Sequence, residues 1–565
     1  MGRPEKIRLG DVLVAQKAIS QDQLKIALDQ QKKSGRRLGR VLVEQGFVSD
    51  EQICEAMSRQ LNIPYVNLKF YNFNQDVVRR LPEAQARRFR AVVLEDRRAS
   101  VLVGMADPTD LFAYDEIGRI LNKDVEVAVV SEAMLLQTVD RVYRRTEEIS
   151  GLAKELERDV GDAYIDFGAL GAGAEDAPVV KLLQSVFEDA IQVNASDVHI
   201  EPQEGRLQIR FRIDGALNPQ TEADPKIAPA LALRLKLMAG LDISEKRLPQ
   251  DGRLNVIARD QKVDVRMSTM PTQYGESVVL RLLNRRATLQ SLDTLGMPPK
   301  MLGRFREIIQ RTAGMVLVTG PTGSGKTTTL YAALSEVNTP ERKIVTVEDP
   351  VEYRLAGINQ VQVNEKIDLS FARVLRSTLR QDPDVILVGE IRDEETAQIA
   401  LRAALTGHLV FSTLHTKDAV STPIRLIDMG APSYMVATSV HAVIAQRLLR
   451  LNCESCNEEY QPDAHESRWL AAEVGADFAG RKYFRGRGCS HCNGSGFAGR
   501  IGVYEMLEMT PDLSRAAVSP DPNVFMEAAR PYMKGVRLTD QALALVLEGR
   551  TTGAEALKVA TQVDD

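Results

Sequence analysis

The chain has 565 residues, of which 44% are hydrophobic and 5% aromatic, with one Trp and a formal net charge of −5. That length is several domains' worth, and the apolar share is enough for several packed cores. The acidic balance argues against a protein whose main ligand is a nucleic-acid backbone, and the scarce aromatics argue against base-stacking platforms.

Residues 1–11 are charged and lack the apolar stretch of a signal peptide, and no run nears the ~18 apolar residues of a membrane span. A cytoplasmic protein that meets the membrane only through a partner is therefore expected. The first 60 residues contain a repeat: residues 8–31 and 37–60 align without gaps over 24 positions with 11 identities. Each copy opens with Arg-Leu-Gly (Arg8, Leu9, Gly10; Arg37, Leu38, Gly39) and ends in Gln31 or Gln60. Ser20 with Gln23, and Ser49 with Gln52, have capping-box spacing, so each copy reads as a short helix, a turn and a second helix. Leu24, Ala27, Leu28 and Gln31 share one face of that second helix in copy one; Ile53, Ala56, Met57 and Gln60 share it in copy two. Such a unit reads either as a helical docking domain or as a ligand site, since Arg can fork to phosphate and Gly admits a close ligand.

Residues 71–148 mix strand-like and helical runs, as in a small α/β subdomain, and residues 149–178 are Gly/Ala/acidic, a flexible linker by composition. Residues 179–290 alternate as another α/β domain would. From 291 to 565, short apolar runs at 315–319, 344–347 and 385–388 alternate with helical segments, the pattern of buried parallel strands.

The first of these runs leads into Gly320, Pro321, Thr322, Gly323, Ser324, Gly325, Lys326, Thr327 and Thr328, a G-x-x-x-x-G-K-[ST] phosphate loop. Glycines free the backbone N–H groups to surround phosphate at a helix start; Lys326 neutralises β/γ-phosphates and Thr327 ligates Mg²⁺. Glu348 and Glu390 each close or follow a later apolar strand, and His408 and His415 flank a third. Carboxylates at such strand ends can hold Mg²⁺ and orient water. Cys453, Cys456, Cys489 and Cys492 form two C-x-x-C pairs 32 residues apart, within a module at 450–498. In a reducing compartment they read as a structural Zn²⁺ site, a redox dithiol being the alternative. The fifth cysteine, Cys54, reads as a small buried hydrophobe.

These motifs together resemble the type II secretion and type IV pilus assembly ATPases, whose Walker A, aspartate, Walker B and histidine boxes fall at 320–328, 348–353, 389–393 and 406–416. The resemblance implies a RecA-like core preceded by a PAS-like α/β domain, a zinc-binding insertion, and a helical plus α/β regulatory N-terminus. It further implies a ring homohexamer bound to an inner-membrane platform protein, with ATP held between subunits. Glu348 would polarise water, Glu390 would support Mg²⁺, and Arg266 and Arg281 would be arginine fingers. Arg376 and Arg380 would lie at the subunit interface. The repeated N-terminus is similar to the cyclic-di-GMP-binding domain of MshE-type ATPases. That likeness places ligand contacts on Arg8, Leu9, Gly10, Leu24, Leu28, Gln31, Arg37, Leu38, Gly39, Ile53, Met57 and Gln60, with Asp107 joining from the next subdomain. Lys17 departs from the pattern, standing where copy two has Gly46. An MSHA-like pilus motor is the expectation, with a type II secretion ATPase or a nucleotide-sensing scaffold with idle hydrolysis as alternatives.

Overall fold

The computed structural model describes residues 9–15, 18–34, 38–143, 178–258, 261–283 and 290–564. Arg8, Lys17, Arg37 and the linker expected at 149–178 lie outside them, except Pro178, which begins the helix Pro178–Gln192.

Each copy of the N-terminal repeat folds as its punctuation predicts, Leu9–Ala15 with Gln21–Ser34 and Leu38–Glu44 with Asp50–Leu61. Both capping boxes form. Gln23 N donates to Ser20 Oγ at 3.2 Å and Ser20 N to Gln23 Oε1 at 2.8 Å; Ser49 and Gln52 repeat this at 3.2 and 2.9 Å. Four orphan donors at two helix starts are thereby satisfied. Leu13, Leu24, Ala27, Leu42, Ile53 and Ala56 close one small core between the copies. Cys54 is buried as well.

Among the described residues, four sheets follow. The first has the order β1 (Ala91–Asp96), β2 (Ser100–Met105), β3 (Asp124–Val129), and packs against the helices Glu83–Phe89, Leu111–Leu121 and Glu132–Val142. Next come β4 (Asp197–Gln203), β5 (Arg206–Ile213), β6 (Ala216–Ala223), β7 (Gln250–Ala258), β8 (Gln261–Thr272) and β9 (Gly275–Leu283), an antiparallel sheet of order β6-β5-β4-β9-β8-β7. Burial alternates along β5 and β8 because only one face is covered, by the helices Pro178–Gln192 and Ala228–Ala239.

The largest sheet comprises β10 (Gly314–Thr319), β11 (Ile344–Glu348), β12 (Asn359–Gln362), β13 (Val385–Val388), β14 (Leu409–Leu414), β15 (Val440–Asn452) and β18 (Phe497–Glu508). Its order is β12-β11-β13-β14-β10-β15-β18, parallel except for β15 with β18. All residues of β10, β11, β13 and β14 are buried, because helices cover both faces and leave no solvent side to mark by polarity. The remaining pair, β16 (Asn457–Tyr460) and β17 (Tyr483–Gly486), projects from the β15–β18 hairpin.

Candidate active site

The carboxyl ends of β10, β11, β13 and β14 meet on one edge of the large sheet, where parallel α/β folds bind ligands. The loop after β10 turns through Gly320, Gly323 and Gly325, all with positive φ, and ends in the helix Lys326–Val337. At Gly320 glycine is obligatory: a Cβ would sit 2.4 Å from Gln446 O and 2.7 Å from Ser324 Oγ. Pro321, Thr322 and Gly323 are exposed at the rim of the loop, Thr327 and Thr328 half-buried on the first helical turn, and Ser324 buried with an Oγ that has no hydrogen-bond partner.

Lys326 Nζ donates back to Gly320 O at 2.8 Å and Pro321 O at 3.0 Å. Burial lowers its pKa to about 8, against the opposing pull of Glu390, with Arg447 pushing further down. An ammonium so poorly compensated is a receptor for anionic oxygen.

Glu348 ends β11 and is buried. Tyr331 donates its hydroxyl to one carboxylate oxygen; Thr346 Oγ1 at 2.5 Å and Gln360 Nε2 at 3.2 Å donate to the other. Burial first and the nearby Glu348 charge second raise the Tyr331 pKa far above the phenol range, so it stays a donor. Tyr353 packs edge-on against Tyr331 at 4.6 Å. Glu390, just past β13, accepts from Arg392 at 2.5 Å and lies 3.5 Å from His415 Nε2. His408 turns away, its Nδ1 2.9 Å from Ala403 O.

From the six-stranded sheet, Arg266 reaches this edge. It donates to Glu352 at 3.0 Å and to Val351 O, and burial lowers its pKa despite the Glu352 charge. Arg281 is held instead by Asp197 on its own sheet at 3.0 Å, its side chain 58% exposed. Arg376 pairs with Glu395 on the surface, and Arg380 donates to Arg376 O at 2.9 Å. Sequence reading passed over Tyr331, Thr346, Gln360, Gln446 and Arg447. Gln446 and Arg447 back the phosphate loop from β15, and Gln446 accepts from Thr329 at 2.8 Å. No motif marks them, though Tyr331 lies five residues beyond Lys326 on the same helix.

The four knuckle cysteines gather because β15 and β18 pair from Ala442↔Glu508 to Asn452↔Phe497, closing the base of the insertion that carries both knuckles. All four Sγ atoms lie within 4.8 Å of one another, with Cys453–Cys489 and Cys456–Cys492 at 3.9 Å. Backbone N–H groups of Gly488, Cys489 and Gly496 donate to sulfur at 3.2–3.3 Å, as thiolate ligands need. This donor set fits one tetrahedral soft cation.

In the repeat, Leu24 and Ile53 are core residues at 7% exposure each, whereas Leu28 is 38% exposed, and Gln31, Leu38, Gly39, Met57 and Gln60 are half-buried. Gly10 is buried against Leu24, and Leu9 begins its helix. Asp107 Oδ1 accepts from Thr109 N at 3.1 Å, shaping the turn after β2.

The family model described as "Type II/IV secretion system protein" matches residues 172–558, and that of the MshEN domain matches 61–149, which includes Asp107 and starts after the repeat. The type IV pilus assembly ATPase PilB of Myxococcus xanthus is 40% identical over 97% of this chain and 98% of its own. The type II secretion system ATPase E of Vibrio cholerae is 42% identical over 85% of this chain and 97% of its own. Among solved structures, the Legionella pneumophila ATPase DotB shares the fold, with TM-score 0.50, 22% identity and 67% and 95% of the two chains covered. A model match over more than half of the sequence and a relative aligned almost end to end lead to one conclusion: this chain belongs to the type II/IV secretion system protein family, as an ATPase with an MshEN domain.

Proposed function

We propose that the chain is the hexameric cytoplasmic motor of an MSHA-like type IV pilus, docked on an inner-membrane platform protein and regulated by cyclic-di-GMP. The observation that carries the motor reading is the convergence of Lys326, Glu348 and Glu390 on one sheet edge with Arg266 beside them. In this reading the amides of residues 320–328 and Lys326 hold the triphosphate, and water attacks the γ-phosphorus. The bond to the β–γ bridging oxygen breaks, ADP leaves, and Glu348 accepts the proton of the attacking water. Thr327 and Glu390 would hold Mg²⁺, which supplies charge neutralisation on the phosphates. Arg266, and Arg281 once released from Asp197, would stabilise charge on the transferring phosphoryl. His415 would orient Glu390. Cys453, Cys456, Cys489 and Cys492 would hold a structural Zn²⁺ that fixes the insertion on the hairpin.

The pilus reading is supported by the near end-to-end alignment with a pilus assembly ATPase. Type II secretion remains the second reading, favoured by several relatives of that name. The cyclic-di-GMP reading rests on the MshEN match and on two copies of an Arg-Leu-Gly/Gln unit, which suit a two-fold ligand. The test of the motor is phosphate release by wild type and Glu348→Gln at saturating ATP. A loss of about a hundredfold or more with ATP binding retained is expected; equal release from both removes the mechanism.

A further inference from the structure

The two knuckles hold more than their own sulfurs. The segment leading from the helical repeat to the first sheet runs across them, and the two residues inside each C-x-x-C make the contact. From the first knuckle, Ser455 donates its hydroxyl to Lys69 O, and Glu454 pairs with the Lys69 ammonium. The second knuckle supplies three bonds: Phe73 N donates to Ser490 Oγ at 3.1 Å, Ser490 N to Asn72 Oδ1 at 3.4 Å, and His491 Nε2 to Tyr71 O at 2.8 Å. On its other side the segment is built into the N-terminal α/β domain. Tyr71 donates its hydroxyl to Leu94 O at 2.9 Å, and Phe73, at 6% exposure, is part of that domain's core.

We propose that the tetracysteine knuckles are a docking site for this chain's own N-terminal α/β domain, and that metal occupancy sets whether that domain is held against the ATPase domain. The ion pair alone is weak, since Lys69 and Glu454 are 45% and 71% exposed. What gives the contact its specificity is a set of main-chain bonds, which form only if both knuckle turns keep their shape together. The flanks of the two turns are joined by backbone bonds, Cys453 N to Gly496 O and Arg487 N to Cys456 O at 2.9 Å each, and the buried side chains between the turns are their four cysteines. A cation bonded to all four sulfurs therefore fixes the two turn tips, 454–455 and 490–491, against each other, and four unbridged thiols leave those tips held only through the flanking backbone bonds. The inference rests on the structural-zinc reading above. Its consequence is that a regulatory domain could act on the motor through the insertion, without touching nucleotide.

The test uses the full chain. Zinc content is measured first, and amide hydrogen exchange is then followed before and after chelation, and in the zinc-loaded double variant Lys69→Glu, Asn72→Ala. Protection at Phe73 and Ser490 is expected to fall about tenfold on chelation, while β1 and β2 keep theirs. The double variant, altered away from the cysteines, is expected to lose protection at Ser490 with its zinc intact. A chain that takes up no zinc removes the metal reading and with it the metal dependence. A zinc-loaded chain whose Phe73 and Ser490 amides exchange freely, or stay equally protected in the variant, overturns the docking site, and protection unchanged by chelation overturns its metal dependence.

Discussion

Lys326 shows how a single residue is prepared for its ligand. Its ordinary pKa of 10.5 falls to about 8 because the loop desolvates it faster than Glu390 compensates. Above pH 8 the free protein carries a neutral amine, and a bound triphosphate would return it to the ammonium form. Nucleotide binding should therefore take up a proton near pH 9 and weaken by up to about tenfold per pH unit between 8 and 10. Calorimetry in two buffers of different ionisation enthalpy reads the uptake; buffer-independent heats would contradict it. Glu348 is positioned rather than prepared by charge, since its three donors are all neutral side chains. Tyr331→Phe removes the phenolic donor and keeps the ring packed on Tyr353. A fall in kcat of about tenfold with unchanged ATP affinity is expected, equivalent to one hydrogen bond to a charged group. Stopped-flow nucleotide binding beside steady-state turnover separates the two effects.

At the scale of elements, the capping boxes fix where the second helix of each repeat starts, and so which residues face inward. Leu24 and Ile53 go into the core, and they can serve a ligand only by shaping the surface that Leu28, Gln31, Met57 and Gln60 present. The turn before the second copy's capping box holds Gly46 at φ 68, a conformation that favours glycine. Titrating cyclic-di-GMP into wild type should give heat that Arg8→Ala diminishes at least about tenfold in affinity, as expected for loss of a charge-assisted phosphate contact. Heat in neither protein would return the repeat to a docking domain. The strands of the large sheet were legible as apolar runs and the phosphate loop as a contiguous motif, because both are local in sequence. Gln360 was not, because it reaches Glu348 only when β12 pairs with β11.

At the scale of the whole molecule, Arg266 crosses from one domain's sheet to the aspartate-box segment of the next, 86 residues away along the chain. Guanidinium is retained in this half-buried place because Glu352 and Val351 O receive it. Arg266→Ala should lower kcat by about a hundredfold or more at unaltered thermal stability of the ATPase domain; turnover within twofold of wild type would assign Arg266 a purely structural role. Arg281 differs, being committed to Asp197 unless the domains move. By itself the sequence determined the chemistry of the phosphate loop, the helix starts, the cysteine set and the family, because each depends on residues adjacent or regularly spaced in the chain. Only the tertiary structure decided what holds Glu348, where the two arginines go, and that the knuckles touch the N-terminal domain. Those contacts join residues tens to hundreds of positions apart, and no local periodicity records which distant surfaces will meet when the sheets pack.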